Sequence, residues 1–499
     1  MTEIGLSGFS RVWIIENGAN PNQTPAYQGL MKIGDPSWPQ GDPKRIEAPD
    51  PNRYDEFIEA AEVKGTRERI STSLEGRYPM ALSTMLRLTR QACPFDVQVH
   101  MGKCEDPRDF NLGWAKIAVF ERSRVKGYDV SNLGALGSDE RTQTGEKADL
   151  SARDWYELVR LTFSETGAAI VTREIIAGHV CDFANCGDCG SPSDGCQKIV
   201  WVQIGSGASP GTPPALIYSA DGGEVYLGTN ISTLLGNEPP SDVQCIGGLV
   251  VVISNTDEAL HWCYVDDLFG NWPNAGAPVW VQVTNGFVFG QGPTALTSVG
   301  ARATWMCADA GYIYFTDDPT QGVTVQEPGI ATTQNLNDIH ALDEFNVISV
   351  GNSNVVLVTD NGGDTWRLVT GPVVGQNLSA CWMKTPDLWL VGVADGTLWF
   401  TTNQGVTWTQ INLPIAGTRV DHIRFANNTV GYLSLRYAGG GAILRTIDGG
   451  NTWYVLPEGP GAIPTNQRIN HLAVCETNPN VVWGGGLGTG TDGIIVKGE

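Results

Sequence analysis

Thr359-Asp-Asn361-Gly-Gly363-Asp-Thr365-Trp366 recurs as Thr401-Thr-Asn403-Gln-Gly405-Val-Thr407-Trp408 and again as Thr446-Ile-Asp448-Gly-Gly450-Asn-Thr452-Trp453. The shared pattern is T-x-(D/N)-x-G-x-T-W, with its tryptophans 42 and 45 residues apart. Each copy reads as a hairpin turn. The Asp or Asn and the Gly take positions where φ is positive or where a side chain must cap backbone N–H groups. The leading Thr hydroxyl bonds back across the turn. The closing Thr-Trp starts the next strand and carries an indole large enough to fill a gap between sheets.

Weaker copies lie upstream. Thr316-Asp-Asp318-Pro-Thr-Gln-Gly322-Val-Thr324-Val325 has two extra residues and no Trp, and Ser219-Ala-Asp221-Gly-Gly223 keeps the turn alone. Strand-starting positions at Trp280, Thr324, Trp366, Trp408 and Trp453 then recur at 42 to 45 residues, a blade period. The box resembles the Asp-box (BNR) repeat of sialidase-like propellers and of the photosystem-assembly propellers. That resemblance implies a β-propeller over residues 198–499, with seven blades expected and six to eight allowed. It also implies that Thr359, Asn361, Gly363 and Trp366, with their counterparts Thr401, Asn403, Gly405, Trp408, Thr446, Asp448, Gly450 and Trp453, are structural residues. After Trp453 three strand candidates remain: Arg468–Cys475, Asn480–Trp483 and Gly493–Lys497. Lys198–Ile204 matches Val279–Val283 and is expected to supply the fourth strand, so that first and last strands close the ring.

Residues 1–180 show no box and no such period. Met80–Leu88 has its apolar residues at helical spacing, flanked by strand-like Phe95–His100 and Ala115–Phe120. Two long polar stretches, Gly34–Pro51 and Ser131–Ser151, read as loops. Arg69–Pro79, the helix from Met80 and the Lys147–Glu157 region resemble the major tail tube protein of long-tailed bacteriophages. The resemblance implies a β-barrel or sandwich with a small helix. It further implies self-assembly into rings or a tube, contacts with other virion proteins, and an extra domain displayed outside the tube.

Charge bears on partners. Residues 198–499 hold 25 acidic and 10 basic residues, and the whole chain carries −22. Such a surface repels phosphate backbones, so DNA is expected only as cargo that slides past. No stretch of 18 apolar residues suggests a membrane span, and the opening MTEIGLSGFS lacks a secretory pattern. The expected location is a virion, made in a host cytoplasm.

Cys181, Cys186, Cys189 and Cys196 crowd the junction at 181–197. Three states are open to them: two local disulfides, a zinc site of four thiolates at departing spacing, or free thiols. Cys93 and Cys104 bracket a short strand and form a further possible pair. Cys245, Cys263, Cys307, Cys381 and Cys475 lie in apolar runs and read as buried free thiols. No other cofactor is expected.

An enzyme is not expected either. A sialidase-like hydrolase needs three arginines around a carboxylate, a Tyr–Glu nucleophile pair and an acid Asp. Residues 198–499 contain seven Arg in all, and Arg367 and Arg445 adjoin boxes. The paired carboxylates Asp266-Asp267 and Asp317-Asp318 sit on turns, and His340, His422 and His471 are each isolated in sequence. Two functions follow: a virion structural subunit displaying a propeller, or a non-catalytic module holding a host-surface glycan or a protein. A sialidase-like glycosidase is the third and least supported.

Overall fold

The computed structural model describes 9–16, 26–33, 47–49, 57–59, 70–77, 95–101, 116–135, 142–152, 154–161, 163–167 and 170–498, the last range without 182–195, 206–212, 236–237, 275–277, 301, 439, 457–466 and 489–491. The chain is mostly β. It divides into two compact units, one running up to Val159 and one from Arg160 to Glu499.

In the first unit the strands are β1 (Phe9–Glu16), β2 (Ala26–Ile33), β3 (Glu47–Pro49), β4 (Phe57–Glu59), β5 (Ile70–Arg77), β6 (Phe95–Met101), β7 (Lys116–Ala135), β8 (Thr142–Ala152) and β9 (Asp154–Val159). Their main sheet runs β6-β1-β2-β5-β8-β7-β9, and β6 also pairs with β7, so the antiparallel pairing returns on itself. Phe95, Val97 and Val99 alternate along β6 and pack with Val12, Ile14, Leu74, Phe120 and Leu150, the period of two that strand geometry imposes. The stretch 131–151, expected to be a loop, is largely strand: Ser131 in β7 pairs with Gly145 in β8. Ala148, Leu150 and Ala152 supply the inward face there, a small-residue alternation that polar neighbours hide. The helix expected from Met80 and the pair Cys93 and Cys104 lie outside the described residues.

The second unit consists of seven four-stranded antiparallel sheets. Their innermost strands are Ile175–Val180, Asp242–Ile246, Pro293–Val299, Leu336–Ala341, Leu378–Met383, Arg419–Phe425 and Arg468–Val474, blades 1 to 7 in order. Each inner strand lies beside that of the next blade, and blade 7 lies beside blade 1, which closes the ring of a propeller.

The closing strand is not the one the sequence suggested. β10 (Phe163–Thr166) pairs with Gly493–Gly498 and completes blade 7. Ile199–Gln203 is the second strand of blade 1, paired with Ile175–Val180 on one edge and Ala215–Ser219 on the other. All five of its residues are buried, as a mid-sheet strand requires and an outer one does not. The first propeller strand therefore starts at Phe163, ahead of the start expected at 198.

The three boxes have one hydrogen-bond scheme. Thr359 Oγ1 donates to Asn361 Oδ1 at 2.8 Å and accepts from Gly363 N at 2.9 Å, while Thr365 N donates to Asn361 Oδ1 at 3.1 Å. Thr401, Asn403, Gly405 and Thr407 repeat it at 2.9 Å throughout. Thr446, Asp448, Gly450 and Thr452 repeat it at 2.8, 2.8 and 2.9 Å. Ser219, Asp221 and Gly223 in blade 1 share the first two bonds, at 2.7 and 2.9 Å. Gly363 has φ +96°, a backbone conformation strained for any residue with a Cβ.

Trp366, Trp408 and Trp453 fill equivalent places. They pack into the seams between blades 3 and 4, 4 and 5, and 5 and 6 respectively.

The boxes differ in burial: Asp448 is fully buried, whereas Asn403 is exposed. Asp448→Ala leaves several buried donors unpaired, so it should lower the unfolding free energy by about 2–4 kcal/mol, against about 1 for Asn403→Ala. Urea unfolding of both variants measures the difference, and equal losses would contradict it.

Candidate functional site

The inner strands carry a repeated bond. At every blade boundary a side chain of one inner strand bonds the backbone of the next. Cys245 N donates to His179 Nδ1 at 3.4 Å, Leu296 N to Asp242 Oδ2 at 3.0 Å, and Ala341 N to Thr297 Oγ1 at 3.1 Å. Cys381 N donates to Asp338 Oδ2 at 2.8 Å and Met383 N to His340 Nδ1 at 3.1 Å. Ser379 Oγ donates to Val420 O at 2.5 Å. Leu472 N donates to His422 Nδ1 at 3.1 Å, and Gly178 N to His471 Nδ1 at 3.2 Å, which returns the series to blade 1.

This scheme fixes the chemistry of the histidines. A ring nitrogen that accepts an N–H carries no proton, so the neutral ring holds its proton on Nε2. Burial pushes the pKa of His340, His422 and His471 well below 6.5, and the Arg424 charge adds to it. His179 is lowered to about 4 for the same two reasons, a backbone bond to Val180 pulling the other way. Asp242 is raised to about 7, mainly by burial. Its two oxygens are spent on Val243 N at 2.7 Å and Leu296 N.

The C-terminal ends of these strands surround a cavity of about 660 Å³. His179, Ser298, His340, Trp382, Arg424 and Glu476 are among its walls. His340 stacks on Trp382 with ring centroids 3.7 Å apart, and His422 stacks on His471 at the same distance. Arg424 Cζ lies 5.7 Å from the Trp382 centroid, and Nη1 donates to Ile423 O at 2.9 Å. Among the described residues Arg424 has no carboxylate partner. Its charge nonetheless influences groups on blades 1, 2, 4, 5, 6 and 7, which places it near the propeller axis.

Cysteines hold the rim. Cys181 forms a disulfide with Cys245 and Cys196 forms one with Cys475, with Cα atoms 5.1 and 5.7 Å apart. These bonds tie blade 1 to blade 2 and to blade 7. The expectation of pairing within the 181–196 cluster is thereby corrected, as is the reading of Cys245 and Cys475 as free thiols. A zinc site of four thiolates loses Cys181 and Cys196. Cys186 and Cys189 lie outside the described residues. Cys263, Cys307 and Cys381 are free and buried. No local pattern marks these partners, because the paired thiols are 64 and 279 residues apart.

The box residues lie elsewhere, between the third and outer strands of their blades. None of them lines the cavity. Of the histidines read as isolated, His340, His422 and His471 are brought together around the axis. Arg424, Trp382 and His179 were not singled out. Their signal was a polar or aromatic residue recurring near the end of each inner strand.

Neutral His179 favours folding above pH 6.5. That contribution is lost as pH falls from 6.5 toward about 4, since the unfolded chain takes up the proton first. Asp242 works in the opposite sense between 3.8 and about 7, so total stability is a poor readout. A comparison removes this: His179→Asn keeps an acceptor for Cys245 N and cannot titrate. Relative to the unmodified chain it should gain about 2 kcal/mol between pH 7 and pH 5. Chemical denaturation at the two pH values checks this, and a constant difference would refute it.

No family model and no curated protein sequence matches this chain. Solved structures do. YCF48 from Cyanidioschyzon merolae superposes with a TM-score of 0.50 at 15% identity, over 67% of this chain and 98% of that one. YCF48 bound to a D1 peptide gives 0.48 at 16% identity, over 68% and 96%. Virginiamycin B lyase from Staphylococcus aureus gives 0.49 at 12% identity, over 68% and 98%. Likeness at these identities is one of fold, and the fold shared with the first is the β-propeller.

Proposed function

We propose that the chain is a non-catalytic binding protein whose propeller receives a protein segment in the axial cavity. The supporting observation is the use to which the reactive groups around that cavity are put. His179, His340, His422 and His471 each give Nδ1 to a backbone amide. Asp242 and Asp338 likewise accept backbone N–H groups. A base whose lone pair is already engaged, and which is buried in its neutral form, is poorly placed to take a proton from a substrate. What faces the cavity instead is an indole, a guanidinium, imidazole rings and a single carboxyl, Glu476, with no second acid among the described residues lining the cavity to form a catalytic pair with it. A sialidase mechanism lacks its arginine clamp: among the described residues Arg424 alone of the arginines lines the cavity. The two disulfides suit a protein that works in an oxidising setting, outside a cell or on a particle surface.

A second reading is a virion subunit that assembles through residues 1–159 and displays the propeller. The antiparallel sheet whose pairing returns on itself supports it, since the tail-tube resemblance implies a β-barrel or sandwich. Electron microscopy of the purified chain distinguishes rings or tubes from single particles.

The binding reading is tested by selecting peptides from a displayed library on the purified protein. Selected peptides should bind with micromolar or better affinity and lose at least tenfold on Ser298→Trp, which fills the cavity. A library without enrichment, binding indifferent to the blockade, or turnover of a sialoside reporter would each defeat it.

A further inference from the structure

Arg424 is the one feature of the cavity that its surroundings do not account for. The guanidinium is partly buried and fixed by the Trp382 ring, yet a single donor is used, on its own strand's Ile423 O. The acids nearest the axis feel its charge but do not hydrogen-bond it. Asp242 spends both oxygens on Val243 N and Leu296 N, and Asp338 spends both on Ile339 N and Cys381 N. Glu476, also in the cavity wall, forms no ion pair with it, and burial alone pushes that carboxyl above its ordinary range. A half-buried cation with unused donors is costly unless an anion completes it.

The rest of the wall fits one planar anion. His340 gives Nδ1 to Met383 N, so its remaining nitrogen is a donor, and the ring is clamped at 3.7 Å against Trp382. Guanidinium and imidazole both lie against one indole; the guanidinium offers the paired N–H groups that a carboxylate accepts, and the imidazole a further donor in the same cavity wall. Charge limits the ligand further. Residues 198–499 carry 25 acids against 10 bases, so a polyanion is repelled while a single negative group can be held at Arg424, which among the described residues has no carboxylate partner.

We propose that Arg424, with His340 and Trp382 beside it, forms a site for one carboxylate presented by an extended protein segment. A chain terminus is the simplest source, because it offers a single carboxylate at the end of a narrow strand. This rests on the reading of the cavity as a protein-binding site.

The test uses the full chain and the peptides chosen by display, each made as C-terminal acid and C-terminal amide, with internal Asp and Glu also replaced by Asn and Gln. Removing the bound carboxylate, or making Arg424→Gln, should weaken binding about ten- to a hundredfold, with Arg424→Lys falling between. Loss on amidation identifies the terminus as source; loss on internal replacement identifies a side chain. Sodium acetate should also raise the melting temperature saturably against equal sodium chloride, and Arg424→Gln should abolish the rise. If Ser298→Trp blocks peptides while amidation, internal replacement and Arg424→Gln change affinity less than twofold, the carboxylate site is wrong and the binding reading survives. If no peptide binds yet acetate acts through Arg424, the site stands and its protein source does not. N-acetylneuraminic acid binding through Arg424, in place of peptides, would overturn the protein source in favour of a sugar acid.

Discussion

A ring of sheets holds together only if its last boundary is as strong as its others, and here the bond from one inner strand to the backbone of the next meets that demand. Hydrophobic seams are present at six of the seven boundaries among the described residues, but apolar contact alone does not fix where one strand sits along its neighbour. A side-chain acceptor beneath a specified amide does. The side chains are chemically mixed: imidazole accepts at four boundaries, the Asp242 carboxylate and the Thr297 hydroxyl accept at two, and the Ser379 hydroxyl donates to a carbonyl at the seventh. What they share is direction, each blade reaching to the one that follows. The His471 bond to Gly178 spans 293 residues of chain and closes the circle beside the Cys196–Cys475 disulfide and the β10 strand.

That arrangement also explains why the centre of the molecule looks like an active site and is read as a binding one. Histidines and aspartates cluster around the axis because buried amides there need acceptors, not because a reaction needs bases. Burial then keeps the imidazoles neutral. Among the described residues Arg424 is the one cation lining the cavity, and in the binding reading it sets what the site accepts.

The sequence made the outer half of each blade legible and left the inner half obscure. Boxes such as Thr401–Trp408 are local: their bonds link residues no more than four apart, so eight letters record the whole device. Inner-strand bonds join residues 41 to 293 apart, and no short pattern records such a pair. His340, His422 and His471 could be read as satisfied histidines, which they are, but not as neighbours. The closing strand was missed because Phe163–Thr166 is four residues long and largely solvent-facing, with nothing to mark it apart from a loop. Lys198–Ile204 resembled an outer strand by composition, and only its burial on both faces shows that it lies inside. The disulfide partners were hidden for the same reason of distance.

Nitrogen NMR of the chain labelled at histidine tests the ring of bonds most directly. Six histidines are present, and four of them, His179, His340, His422 and His471, should give the signature of a neutral ring protonated at Nε2, unchanged from pH 7 to pH 5. Signals from these four that titrate together near pH 6.5, or that show the proton on Nδ1, would mean that the inner strands are not joined as described.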